Sequence, residues 1–388
     1  MRYDIFVTVW GQTFTEKFIR YSVKSQLFPG NLPALSLKSD INYHIYTDKE
    51  SKIIFDPIIK ELNKYVQVKF HYFEDIMYKG ANLKEVVLNS DVQTVKHNVQ
   101  RLTSQHMLSD KNVIAAILLD SDFILADGCL TRMHELREKG YHAVITSLTR
   151  LNEDSVSSLL TDFLQNPIES ADLVKMCLDH MHPIYSGYFM GSDSNSEYPV
   201  QLNWPVVASN IGKTNLVGFI VRCIFPHPLL VIPDKNKGSA ARKYFSTMDY
   251  DYVFRAIGDN NKIYLSQSSE EILISKLTKE TYAPANNEYH KVTIDRMANF
   301  ILYNSNRRHS FFLNKPIYFL CEKDGNWDEI NKKAQKFIEN VEKTIECKIN
   351  ISRASDPKSL IQLKSYLGSI EDFNSPQILD RMNRWMTD

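Results

Sequence analysis

Two aspartates one residue apart, Asp120 and Asp122, stand where an unbroken apolar run, Val113 to Leu119, gives way to polar residues in NVIAAILLDSDFILADG. In extended backbone, side chains at i and i+2 point to the same side. The pair therefore offers two hard oxygen ligands together, which is what Mg²⁺ or Mn²⁺ takes when substrate phosphates complete its shell. Two close carboxylates also repel unless a cation or proton neutralises one of them. The chemistry expected is a metal and diphosphate site on Asp120 and Asp122, with Ser121 between them in the donor-binding set. The plainer alternative is an acidic turn or cap after a strand.

The elements that must position this pair can be read on either side of it. Val113 to Leu119 is short, holds Val and Ile and has no polar face, so it predicts a strand buried on both sides in a helix-covered parallel sheet. Such a strand opens at its carboxyl end on the crevice where open α/β sheets bind ligands. Upstream, Tyr3 to Trp10 predicts a first strand ended by Gly11, followed by a helix over Thr15 to Gln26 that Pro29 and Gly30 stop. Asn42 to Thr47 is a second strand closed by Asp48, and Val66 to Phe73 a third after a helix over Asp56 to Tyr65. This β-α-β-α-β beginning implies a mostly parallel sheet. Thr8, Val9 and Trp10 at the first strand's end would lie against a base, while Asp48 would accept from ribose hydroxyls or else cap a turn. Val92 to Leu108 carries an apolar stripe at helical spacing. Lys96 and Arg101 lie off it, as phosphate ligands or as solvated charges.

Downstream, a helix over Leu130 to Lys139 and a strand over Tyr141 to Ser147 are expected. Glu153 and Asp154 suit the first turn of a helix, where carboxylates complement the dipole. A helix over Ile168 to Met181 comes next. Tyr185 to Met190 then reads as a short aromatic strand, with Tyr185, Ser186 and Asp193 walling a sugar or acceptor pocket. Val217 to Ile232 alternates, and its two prolines suggest an edge or broken strand. The basic, small-residue loop Lys235 to Lys243, with Lys237 and Arg242, would lie over a diphosphate, or is a solvated linker. It leads to Asp249 and Asp251 ahead of an apolar helical run, whose plainer role is an N-cap pair. Beyond Pro284 the pattern is mainly helical, Trp327 to Ile345 presenting one apolar face.

The chain has 388 residues, 43% hydrophobic and 24% charged, enough for a large α/β domain with an appendage. Lys plus Arg and Asp plus Glu balance at 46 each, so nothing draws the whole molecule to nucleic acid. Five scattered cysteines without zinc spacing suggest reduced thiols. No stretch approaches the ~20 apolar residues of a membrane span, so no transmembrane segment is expected. The N-terminal MRYDIFVTVWGQTF lacks a long apolar leader with a cleavage site, and a cytoplasmic protein is expected.

Taken together, ILLDSDFILADG resembles the DxD strand and turn of bacterial GT-A-type glycosyltransferases, with a distant similarity to the family 8 sugar transferases. The resemblance covers roughly residues 3 to 280. It implies an α/β fold of the GT-A (Rossmann-like) type, a mostly parallel sheet flanked by helices with a C-terminal helical extension. The domains it implies are a catalytic domain over residues 1–283, in a nucleotide-binding half (1–128) and an acceptor half (129–283), and an extension over 284–388. It further implies Mn²⁺ or Mg²⁺ as cofactor, a nucleotide-sugar donor, foremost a UDP-sugar, and a glycan, lipid-linked or protein acceptor. By position, TMDYDYVF gives Asp249 and Asp251 the catalytic role. The Gly-Lys-Pro-Trp histidine context usual in family 8 does not occur, leaving His290 or His227 as candidates for a third metal ligand. The alternatives are a sugar nucleotidyltransferase, whose Gly-rich basic signature VTVWGQTFTEK lacks, and a non-catalytic carbohydrate-binding protein on a transferase fold.

Overall fold

The computed structural model describes residues 1–78, 80–89, 99, 112–191, 200–208, 215–234, 253–257, 259–282, 292–305 and 307–353. Its strands, in chain order, are β1 (Arg2–Thr8), β2 (Asp40–Thr47), β3 (Gln67–Tyr72), the short pair β4 (Met77–Tyr78) and β5 (Ala81–Asn82), β6 (Ala116–Asp120), β7 (Phe123–Leu125), β8 (Ala143–Thr146), β9 (Thr149–Asn152), β10 (Gln201–Val207), β11 (Leu216–Cys223), β12 (His227–Val231), β13 (Ile263–Leu265), β14 (Ile274–Thr278) and β15 (Ile317–Leu320). They fall into two compact units, Met1–His180 with Pro226–Glu280, and Met181–Phe225 with Thr281–Asp388. Residues 181–225, which the sequence grouped with the acceptor half, thus pack with the C-terminal part.

In the first unit a seven-stranded sheet runs in the order β13-β8-β12-β6-β1-β2-β3. Every pairing is parallel except the two made by β12. Helices accompany it, among them Cys129–Glu138, Glu153–Phe163 and Ser170–Asp179. The helical stretch after β1 runs from Gln12 to Gln26 without a break, with a π segment over Phe18–Val23 in its middle. This is a Rossmann-like α/β architecture, consistent with a GT-A core. The apolar run of β6 is buried from Ala116 to Leu119, as a strand covered on both faces requires. The order reverses at β1, with β2 on one side and β6 on the other. That reversal makes the carboxyl ends of β1 and β6 a topological switch point, where open α/β sheets take their ligands.

Two expectations are corrected here. The Val217 to Ile232 stretch is broken, as one of its two expected forms, into the strands β11 and β12, which belong to different units, and only the edge alternative is corrected. Strand β12 is no edge; it lies between β6 and β8. Its Pro228 lacks an N–H, and the ladder with β8 shifts register between Pro228 and Leu230, an irregularity that lets a proline sit inside a sheet. The Tyr185 to Met190 strand is instead a helical turn, Pro183–Ser186, followed by a single bridge from Phe189 to Asn203. The reason is local: His182 Nδ1 accepts from the Ile184 N–H at 3.1 Å and Pro183 occupies the first helical position. Such a cap outweighs the β-propensity of the aromatic residues behind it.

The second unit holds the antiparallel sheet β10-β11-β15. With it pack the helices Ile294–Asn304 and Trp327–Arg353, the latter burying Ile330, Ala334, Ile338, Val341 and Ile345 at the spacing of one helix face. All five thiols are free. Among the described residues no helix is long and apolar enough to cross a membrane.

Candidate functional site

The expected donor residues at the first and fourth sheet strands are neighbours across the switch point. Parallel pairing of β1 and β6 sets Thr8 opposite Asp120 at the last rung of the ladder. The Val9 N–H continues β1 toward β2 by donating to the Tyr46 carbonyl at 3.0 Å. Val9 is buried, whereas Trp10 is half-buried with its ring edge-on to Phe73, centroids 5.5 Å apart. Just after β2, Asp48 is buried and accepts from the Ser51 N–H at 2.6 Å, and the Ser51 hydroxyl in turn accepts from the Gly11 N–H at 2.9 Å. Asp48 thus caps the turn after β2 and, through Ser51, ties it to the loop after β1.

The acidic turn is held from a direction the sequence reading missed. Strand β14 pairs antiparallel with β7, which starts directly after Asp122, and parallel with β9. The Leu277 N–H donates to the Asp122 carbonyl at 2.8 Å. This register sets Lys276 beside both Phe123 and Arg150. The Lys276 ammonium donates to Asp120 Oδ2 at 2.6 Å and lies 3.5 Å from Asp122 Oδ1. It also sits 5.5 Å from the centroid of the Phe123 ring. Although burial disfavours its charge, Asp120 and Asp122 outweigh that cost and raise its pKa, so it is an ammonium at any physiological pH. Asp122 Oδ1 is a buried oxygen without a hydrogen bond among the described residues, and the Lys276 ammonium lies within ion-pair range of it.

The ligand chemistry of the pair suits Mn²⁺ or Mg²⁺, but the pair as it stands does not fit an added ion. The cation position between the carboxylates is held by Lys276. Among the described residues, no three His, Cys, Asp or Glu side chains converge as a metal site. His227 is buried in β12 with its ring edge-on to Phe123 at 5.2 Å.

Of the other expected site residues, Ser121 lies half-buried in the acidic turn. Tyr185 belongs to the second unit and is buried against Tyr188, Phe189 and Phe219, so its ring faces an aromatic core and not an open pocket wall. Ser186 turns its hydroxyl to the Pro183 carbonyl at 2.7 Å. Glu153 and Asp154 begin a helix whose cap is the Asn152 side chain, as their expected capping region requires. Lys96, Arg101, Asp193, Lys237, Arg242, Asp249, Asp251 and His290 lie outside the described residues.

Against known proteins, no family model matches the chain and no curated protein does. Among solved structures, similarity extends to Staphylococcus aureus TarS (1–349), 8% identical over 99% of this chain and 83% of that one, with a TM-score of 0.32. Mouse xyloside xylosyltransferase 1 is 14% identical over 39% of this chain and 54% of its own, with a TM-score of 0.28. A putative glucose-1-phosphate thymidylyltransferase from Bacillus anthracis is 9% identical over 69% and 86%, with a TM-score of 0.29. The chain thus spans about half of the mouse protein.

Proposed function

We propose that this chain transfers a sugar from a nucleotide-diphosphate donor, foremost a UDP-sugar, to a glycan, lipid-linked or protein acceptor. The observation that carries the reading is the last rung between β1 and β6, where Thr8 stands opposite Asp120 at the switch point of the sheet. Around that rung, the loop Val9 to Gly11 and the loop after β2 are tied together through Ser51 and Asp48, which gives a nucleoside a fixed floor. Trp10 supplies a ring at its edge. The diphosphate then falls beside the acidic turn, where departure of a nucleoside diphosphate builds negative charge that a cation fixed in the site must meet. Asp249 and Asp251 are proposed as the catalytic pair next to the sugar.

The experiment is incubation of the purified protein with a panel of nucleotide sugars and water as the acceptor. A transferase slowly releases nucleoside diphosphate and free sugar, and the Asp120→Asn variant loses that release by about tenfold or more while remaining folded. Release of pyrophosphate from a nucleoside triphosphate and a sugar phosphate would assign the chain to the nucleotidyltransferases instead. Binding of sugar without turnover of any donor would make it a carbohydrate-binding protein.

A further inference from the structure

Lys276 is fixed as firmly as the carboxylates it faces. Its strand is paired on both edges, its neighbour Leu277 bonds the Asp122 backbone, and its side chain is only 12% exposed. An ammonium has three N–H donors. One is engaged by Asp120 at 2.6 Å, and Asp122 at 3.5 Å is near enough to attract but too far to bond. A phosphoryl oxygen is the partner such a buried, half-satisfied ammonium suits. Arg150, next to Lys276 in the β9–β14 ladder, adds a second positive charge beside the lysine, while its guanidinium donates to Thr278 Oγ1 at 3.1 Å. A divalent ion drawn to Asp120 would have to displace Lys276 and leave its charge desolvated and unpaired, which is strongly unfavourable.

Resting on the reading of this crevice as a nucleotide-diphosphate site, we propose that Lys276 is its resident cation: the ammonium takes the place of a divalent ion between Asp120 and Asp122, and the diphosphate is held through it without metal. The test has two arms. Titration calorimetry of UDP into the full chain, in excess EDTA and in excess Mn²⁺, should give affinities within about tenfold of each other. A tenfold or greater loss in EDTA overturns the proposal. If UDP binds in neither condition, the donor reading fails, and the second arm decides on Lys276 alone. There, Mn²⁺ by itself is followed by electron paramagnetic resonance. The wild-type chain should bind none at the acidic pair, and Lys276→Met should acquire a site that Lys276→Met/Asp122→Asn lacks. Equal Mn²⁺ binding by wild type and Lys276→Met, or none by either, overturns the proposal. Should Lys276→Met fail to fold, Lys276→Arg keeps a cation there, and its UDP affinity should be as indifferent to EDTA as that of the wild type; a metal requirement in Lys276→Arg counts against the proposal.

Discussion

Asp4, two turns of the pleat below Thr8 on β1, shows how much charge the nucleotide-side strands bury. Burial pushes its carboxyl up, but hydrogen bonds from His44 and Asn42, with Arg2 nearby, outweigh that and lower its pKa. A depressed carboxylate contributes stability that is fully present above its unfolded value near 3.8 and is lost as pH falls through the lower folded value. The Asp4→Asn variant should therefore be less stable by about 1 to 2 kcal/mol at neutral pH. The difference should close at strongly acid pH, as urea unfolding at a series of pH values would report. A deficit that is the same at every pH would mean that shape and not charge is what Asp4 supplies. At this scale the carboxylates were legible and their partner was not. Asp120 and Asp122 announce themselves by ending an apolar run, whereas Lys276 lies 156 residues further on in an ordinary-looking ILISKLT. Its one signal was a lysine in a short strand whose other residues, Ile274, Ser275, Leu277 and Thr278, are uncharged, so that burial of the strand calls for a counter-charge.

Elements were read best where one force acted alone. Continuous apolar runs gave β6 and β8, and helical spacing gave Trp327–Arg353, because burial on both faces or on one stripe leaves a plain pattern. The expected Tyr185 to Met190 strand failed where backbone chemistry competed with propensity, at the Pro183 turn. The short helix Val253–Ala256 follows directly on Asp249 and Asp251, and its Val253 and Ala256 are buried. If those carboxylates act on the transition state, Asp249→Asn or Asp251→Asn should lower donor turnover by about a hundredfold with UDP affinity little changed. Release of UDP measured alongside calorimetry separates the two quantities. Full turnover with a lowered melting temperature in both variants would reduce the pair to a helix cap.

For the whole molecule, the mostly parallel sheet and its switch point were legible from the order of strands and helices, since β-α-β connections constrain topology strongly. The division into two units was not, because its boundary at Phe225 and Pro226 falls inside one alternating stretch, where a break signals no change of unit. The proposed function places a nucleoside diphosphate at the carboxyl ends of β1, β2 and β6. Hydrogen exchange of the full chain with and without UDP, in EDTA, tests it most directly. The predicted result is slowed exchange in peptides covering Thr8 to Gln12, Thr47 to Ser51 and Leu119 to Phe123, with the sheet β10-β11-β15 unchanged. Protection confined to that second sheet, or unchanged exchange with UDP at saturation, would contradict it.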